Sequence, residues 1–132
     1  MSIPRAALVI AMLVGGCGGW VEPLAQGTFS RERYCPPSSV TAHRREDLRP
    51  YDYAQPEHLP APDADVAADP VRRAEWERRD AANRAAIDQR YSLVEIAGCG
   101  AHVLYLCHGG HLDTGCSLTG TFDATGAARP LF

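Results

Sequence analysis

The sequence predicts a small disulfide-stapled α+β domain, built from a proline-rich arm, one charged α-helix and a C-terminal β-hairpin or three-stranded antiparallel sheet. Three observations lead there. Asp69-Pro70 opens a stretch that runs to Arg90 without a further proline or any glycine. Two β-branched and aromatic runs, Tyr91–Ala97 and Ala101–Cys107, flank the punctuation Gly98-Cys99-Gly100. Of the five cysteines, all but Cys17 fall in the body of the chain, which leaves an even set for pairing.

Taken in chain order, the first element is an address. Arg5 precedes the apolar run Ala6–Val14, and small residues follow, the order of an export signal. That run is about nine residues, roughly half of the ~20 a helix needs to cross a bilayer core, so it is not expected to remain as a membrane span. Val14-Gly15-Gly16-Cys17 resembles the lipobox of bacterial lipoproteins, with valine where leucine is commoner. The resemblance implies cleavage before Cys17, so that residues 1–16 form a signal peptide. It further implies a diacylglyceryl group on the Cys17 thiol and N-acylation of the new terminus by fatty chains such as palmitate. More than one buried acyl chain makes attachment durable, since each buried methylene adds about 0.8 kcal/mol. Gly18 in place of aspartate resembles lipoproteins sent to an outer membrane, where the cell has one. Gly18-Gly19 and Gln26-Gly27-Thr28 read as a flexible tether, so residues 17–33 are expected to be the acylated cysteine and its spacer.

Residues 34–69 are dense in proline, with Pro36-Pro37, Pro50, Pro56, Pro60 and Pro62. Fixed φ and missing donors predict an extended arm with no long helix, interrupted by one short strand at Val40–His43. Tyr34, Tyr51 and Tyr53 suggest that the arm docks on a surface.

Residues 70–132 are expected to hold the folded domain. Asp69 is placed to cap a helix and Pro70 suits its first position. The helix carries Arg73/Glu77, Glu75/Arg79 and Asp80/Arg84 at i,i+4 spacing, each pair adding only tenths of a kcal/mol. Anchoring is therefore assigned to Val71, Trp76, the alanines and Ile87. Beyond the hairpin, Ser117–Phe122 reads as a third strand and Asp123–Gly126 as a turn, with Arg129–Phe132 folding back or fraying.

Cys35, Cys99, Cys107 and Cys116 argue for two disulfides in an exported domain, with three connectivities open. Closing a long loop from Cys35 onto the C-terminal cluster would stabilise most, by about 3 to 4.5 kcal/mol in the chain-entropy view. A short-range Cys107–Cys116 pair leaves Cys35 to meet Cys99, and this second pattern is favoured.

The loop Cys107–Cys116 also contains His108, His111 and Asp113, with His102 nearby. Imidazole and thiolate are the usual zinc and copper ligands, which makes His102, His108 and His111 metal candidates. The spacing lacks a close C-x-x-C pair, and oxidation competes for both thiols in an exported protein. The haem attachment pattern C-x-x-C-H is absent, and none of Ser38, Ser39 and Ser92 sits in a G-x-S-x-G elbow. No cofactor and no catalytic residue is expected. The net charge of −3, carried with thirteen arginines and no lysine, disfavours a nucleic-acid partner, because phosphate binding needs a clustered positive field.

"RYCPP" at Arg33–Pro37, "AADPVRRAEW" at Ala67–Trp76 and "EIAGCGAHVLYLC" at Glu95–Cys107 together resemble a family of small uncharacterised bacterial lipoproteins. The resemblance implies a stapled module outside the cytoplasm and brings no activity with it. The expected role is structural or partner-binding in the envelope, with the membrane reached through the lipid and an envelope protein as the partner. The alternative is a metal-binding lipoprotein using the Cys107–Cys116 loop, which requires both thiols to be free. An envelope enzyme would have to use His102, His108 and His111, the clustered titratable candidates.

Overall fold

The computed structural model describes residues 19–109 and 113–132; Cys17 and His111 lie outside the described residues. Eight elements follow in order: α1 (Val21–Arg33), β1 (Val40–Arg44), α2 (Ala64–Ala68), α3 (Pro70–Arg90), β2 (Tyr91–Gly98), β3 (Ala101–His108), β4 (Gly115–Phe122) and β5 (Ala128–Pro130). Short 3-10 turns at Pro37–Ser39, Pro50–Tyr53 and Gln55–Glu57 fill the proline-rich stretch. The five strands form one antiparallel sheet in the order β1-β2-β3-β4-β5. None of the described helices is long and apolar enough to cross a membrane. The α+β class and the disulfide staples agree with the expectation from the sequence, while among the described residues the sheet has five strands and there are three α-helices.

The main correction concerns residues 17–33. From Val21 they are not a tether but a helix, and the reason is periodic burial: Val21, Ala25 and Phe29, four apart, all point into the core. Burying Phe29 and Val21 gains about 1.5–3 kcal/mol each, which outweighs the roughly 1 kcal/mol that Gly27 costs inside the helix. Glu22 in the first turn and Arg31 and Arg33 in the last complement the helix dipole. Tyr34 ends the helix in the left-handed region at φ 52°, and the Cys35 amide then donates back to the Ser30 carbonyl.

α3 follows the sequence closely. The Asp69 carboxylate accepts from the amides of Val71 and Arg72, and Pro70 occupies the first turn. The helix then runs to Arg90 and passes straight into β2. Its anchors differ from those expected: Ile87 is buried, Trp76 is only half-buried and Val71 is exposed. The N-terminal half of α3 meets α2 and the chain around Pro60 instead of the sheet, and the Trp76 indole donates to the Pro60 carbonyl. Arg73–Glu77 and Arg84–Asp80 pair as spaced, whereas Glu75 takes Arg78, one residue nearer than Arg79.

The β2–β3 hairpin turns on two residues, Cys99 at φ 47° and Gly100 at φ 77°. Two positive φ values in a two-residue loop match the right-handed twist of the flanking strands. β1 lies on the outer side of β2, with Val40 opposite Gly98. A Cβ at Gly98 would stand 2.5 Å from the Ser39 carbonyl oxygen, so only glycine lets the edge strand approach. The tail does not fray: β5 pairs with β4, with Gly120 opposite Pro130.

Both faces of the sheet are covered, which explains why β3 is buried from Val103 to Cys107 without alternation. On one face, α1 packs Val21, Ala25 and Phe29 on Val94, Ile96, Val103, Tyr105 and Cys107. On the other, Tyr51, Tyr53, Ala54 and Ile87 cover Tyr91, Leu93, Leu104 and Leu106. The arm is thus part of the domain. It supplies β1 to the sheet and two tyrosines to a core, and the Asp88 carboxylate on α3 fixes it by accepting from the Tyr51 amide at 2.9 Å and from Arg49.

Candidate functional site

The cysteine and histidine cluster read from the sequence falls at the end of the sheet where β3 gives way to β4. Cys107 and Cys116 are directly opposed in register, with Cα atoms 4.1 Å apart, and form a disulfide. Cys107 is buried beneath α1. Beside it, His108 Nε2 lies 3.2 Å from an Asp113 carboxylate oxygen, and its ring meets Tyr91 edge-on at 5.7 Å. The Tyr91 hydroxyl donates to Glu57. Burial, helped by that carboxylate, pushes the Tyr91 phenol up to about 12.

The N-terminus of α1 sits at this same end. Trp20, the residue before the helix, lays its indole over Gly109, where any Cβ would run into the ring. Trp20 nonetheless remains about half exposed, at 48%. Since β3 and α1 each span roughly 20–26 Å, the other end of both elements is a separate region. There Cys35, just past α1, is joined to Cys99 in the β2–β3 turn, with Cα atoms 6.1 Å apart. The first disulfide therefore ties the end of α1 to the β2–β3 turn, while Cys107–Cys116 clamps β3 to β4 at the opposite end of the sheet, and the pairing is the favoured one.

Of the three candidate histidines, the two described ones do not converge. His102 and His108 are on one face of β3, six residues apart, which separates them by about 20 Å. Both sulfurs near His108 are oxidised, so neither can be a thiolate ligand. Among the described residues no three His, Cys, Asp or Glu side chains form a group able to hold a metal ion.

His102 belongs instead to a network on the far part of the sheet. Its Nε2 is 2.6 Å from Glu95 Oε1, and its ring stacks on Phe122 at 4.0 Å between centroids. Arg45 donates to the second Glu95 oxygen at 2.6 Å and, through two nitrogens, to both oxygens of Asp47 at 2.8 Å. Burial pushes the Glu95 carboxyl up, but the hydrogen bonds from His102 and Arg45 together hold it below its ordinary value. The bidentate Arg45 grip takes Asp47 down to about 2. Both Glu95 oxygens are engaged, so this carboxylate has no lone oxygen directed at a substrate proton. The cluster ties β1, β2, β3 and β4 together.

An open groove of about 620 Å³ runs between α3 and residues 59–66, floored by Val66, Val71 and Trp76 and rimmed by Arg72, Glu75 and Arg79. Asp65 and Arg72 pair across it at 2.8 Å.

Trp20, Arg45, Glu95 and Phe122 did not stand out in the sequence. Arg45 and Glu95 meet across 50 residues of chain, a distance no local pattern encodes. The signal for Trp20 was present: a tryptophan four residues before Leu24 and five before Ala25 opens an apolar helical period that the glycine pair beside Cys17 obscured. No family model, no curated protein and no solved structure matches this chain.

Proposed function

We propose that this chain is an exported bacterial envelope protein, held on a membrane by lipid on Cys17, with a structural or partner-binding role. The observation that carries the reading is Val14-Gly15-Gly16-Cys17 behind a short apolar run, a few residues upstream of α1. The cysteine pairing supports it. Two disulfides pair Cys35 with Cys99 and Cys107 with Cys116, the four cysteines other than Cys17. Disulfides of this kind belong to oxidising compartments outside the cytoplasm.

The test is a Cys17→Ala chain expressed beside the parent in a bacterium with lipoprotein processing. The parent should sediment with membranes, require detergent for release and lack residues 1–16, while the variant should keep its signal and incorporate no labelled fatty acid. Equal fatty-acid labelling of the two chains, or a parent released by buffer alone, would contradict the proposal.

A further inference from the structure

We propose that the Trp20 end of the domain rests directly on the bilayer, with the indole in the headgroup layer, so that the lipid anchor holds the protein in one orientation. This rests on the acylation of Cys17 argued above. Only Gly18 and Gly19 lie between Cys17 and Trp20, and the three residue steps reach at most about 11 Å even when fully extended. The headgroup layer of one leaflet is itself about 5–7 Å thick, the difference between the ~40–45 Å bilayer and its ~30 Å core, halved. With acyl chains starting at the core boundary, Trp20 cannot rise more than a few ångströms beyond the headgroups. The spacer expected from the sequence would have left the domain free to tumble; α1 removes it.

The chemistry of that end suits the location. Tryptophan combines a large apolar ring with one N–H donor and is enriched at membrane–water interfaces. Trp20 is half exposed, and one side of its indole packs over the Gly109 backbone at the end of β3. At this end of the sheet His108 lies beside the Asp113 carboxylate, Arg90, at the end of α3 that leads into β2, pairs with Glu57, and Glu22 adds a negative group in the first turn of α1. No excess of positive charge among these groups favours anionic lipid, so neutral phosphatidylcholine should suffice. The opposite end, with the Cys35–Cys99 disulfide and the β2–β3 turn, then points away from the membrane.

The two tryptophans of the sequence allow a direct test. The acylated full chain carrying Trp76→Phe leaves Trp20 as the single fluorophore, and the chain carrying Trp20→Phe leaves Trp76. Both are reconstituted into phosphatidylcholine vesicles with bromine on the upper part of the acyl chains, and flotation of each is measured alongside quenching. The proposal expects both chains to float, with Trp20 quenched several-fold more strongly than Trp76. If both float and Trp20 is quenched no more than Trp76, the seating is wrong although the anchor stands. If the chains carry no acyl mass and do not float, the anchor fails and the seating fails with it.

Discussion

Single side chains in this protein draw their ionisation from specific partners, and titration reads them individually. Burial first, and then the Glu57 and Glu32 carboxylates, raise the phenols of Tyr91 and Tyr105, and burial raises Tyr53. A group whose folded value is raised binds its proton more tightly in the native state. Its contribution is complete below the ordinary phenol value of about 10 and disappears as pH rises through the folded one. We therefore expect tyrosinate absorbance to lag behind that of the unfolded chain, with stability declining between about pH 10 and the value of about 12 at Tyr91. Tyrosinate absorbance superimposable on that of the unfolded chain, with the tertiary signal intact, would contradict this. Glu95 has the opposite sign. Its lowered value means stability that is present above about pH 4.3, the ordinary glutamate value, and is lost as pH falls through the folded one. Glu95→Gln should therefore lower the thermal midpoint at pH 7 and flatten its fall between about pH 5 and 3. Asp47, Asp88 and Asp123, also lowered by their partners, keep part of the slope. A variant with the parent's pH profile would show that the Arg45–Glu95–His102 contacts contribute nothing.

Elements were legible in proportion to how local their causes are. The Asp69 cap, Pro70 and the unbroken run to Arg90 announce α3, and Gly98-Cys99-Gly100 announces the hairpin, because each depends on neighbours in the chain. α1 was missed because Gly27 and the position behind Cys17 suggest a spacer, while its stability comes from the distant Val94, Ile96 and Tyr105. β5 was left uncertain for a related reason: three residues pair only because β4 is already there. The correction of α1 is open to measurement. Phe29→Ala removes a fully buried ring that packs edge-on against Tyr105 at 6.3 Å and should cost about 3–5 kcal/mol in denaturant unfolding. A cost near zero would restore the tether. The disulfides belong to the same scale. Cys35–Cys99 closes a loop with a separation of 64 residues and Cys107–Cys116 one of 9. Chain entropy assigns them about 4 and about 2.5–3 kcal/mol. Replacing both cysteines of the long pair by serine should accordingly destabilise more than replacing both of the short pair. The reverse order would point to packing of the buried Cys107 as the larger effect.

At the scale of the molecule, the two cores lie on the two faces of a single sheet; Cys35–Cys99 ties the end of α1 to the β2–β3 turn and Cys107–Cys116 joins β3 to β4. A domain of this size has only modest stability from burial, so covalent staples carry a large share. Of the candidate site, the sequence favours the observed cysteine pairing without excluding the other two connectivities, because Cys107 and Cys116 are close in the chain. It could not show that His102 and His108 lie about 20 Å apart, since that follows from β3 being a strand throughout. The functional account depends on Cys17 bearing lipid while Cys35, Cys99, Cys107 and Cys116 are paired. Intact mass of the native protein, taken from membranes and alkylated with and without reduction, tests both parts at once. The account predicts a chain that starts at Cys17 and carries acyl groups, accepts no alkyl group before reduction and accepts four after it. A native chain that begins at Met1, carries no acyl mass and is alkylated at five thiols without reduction would contradict it.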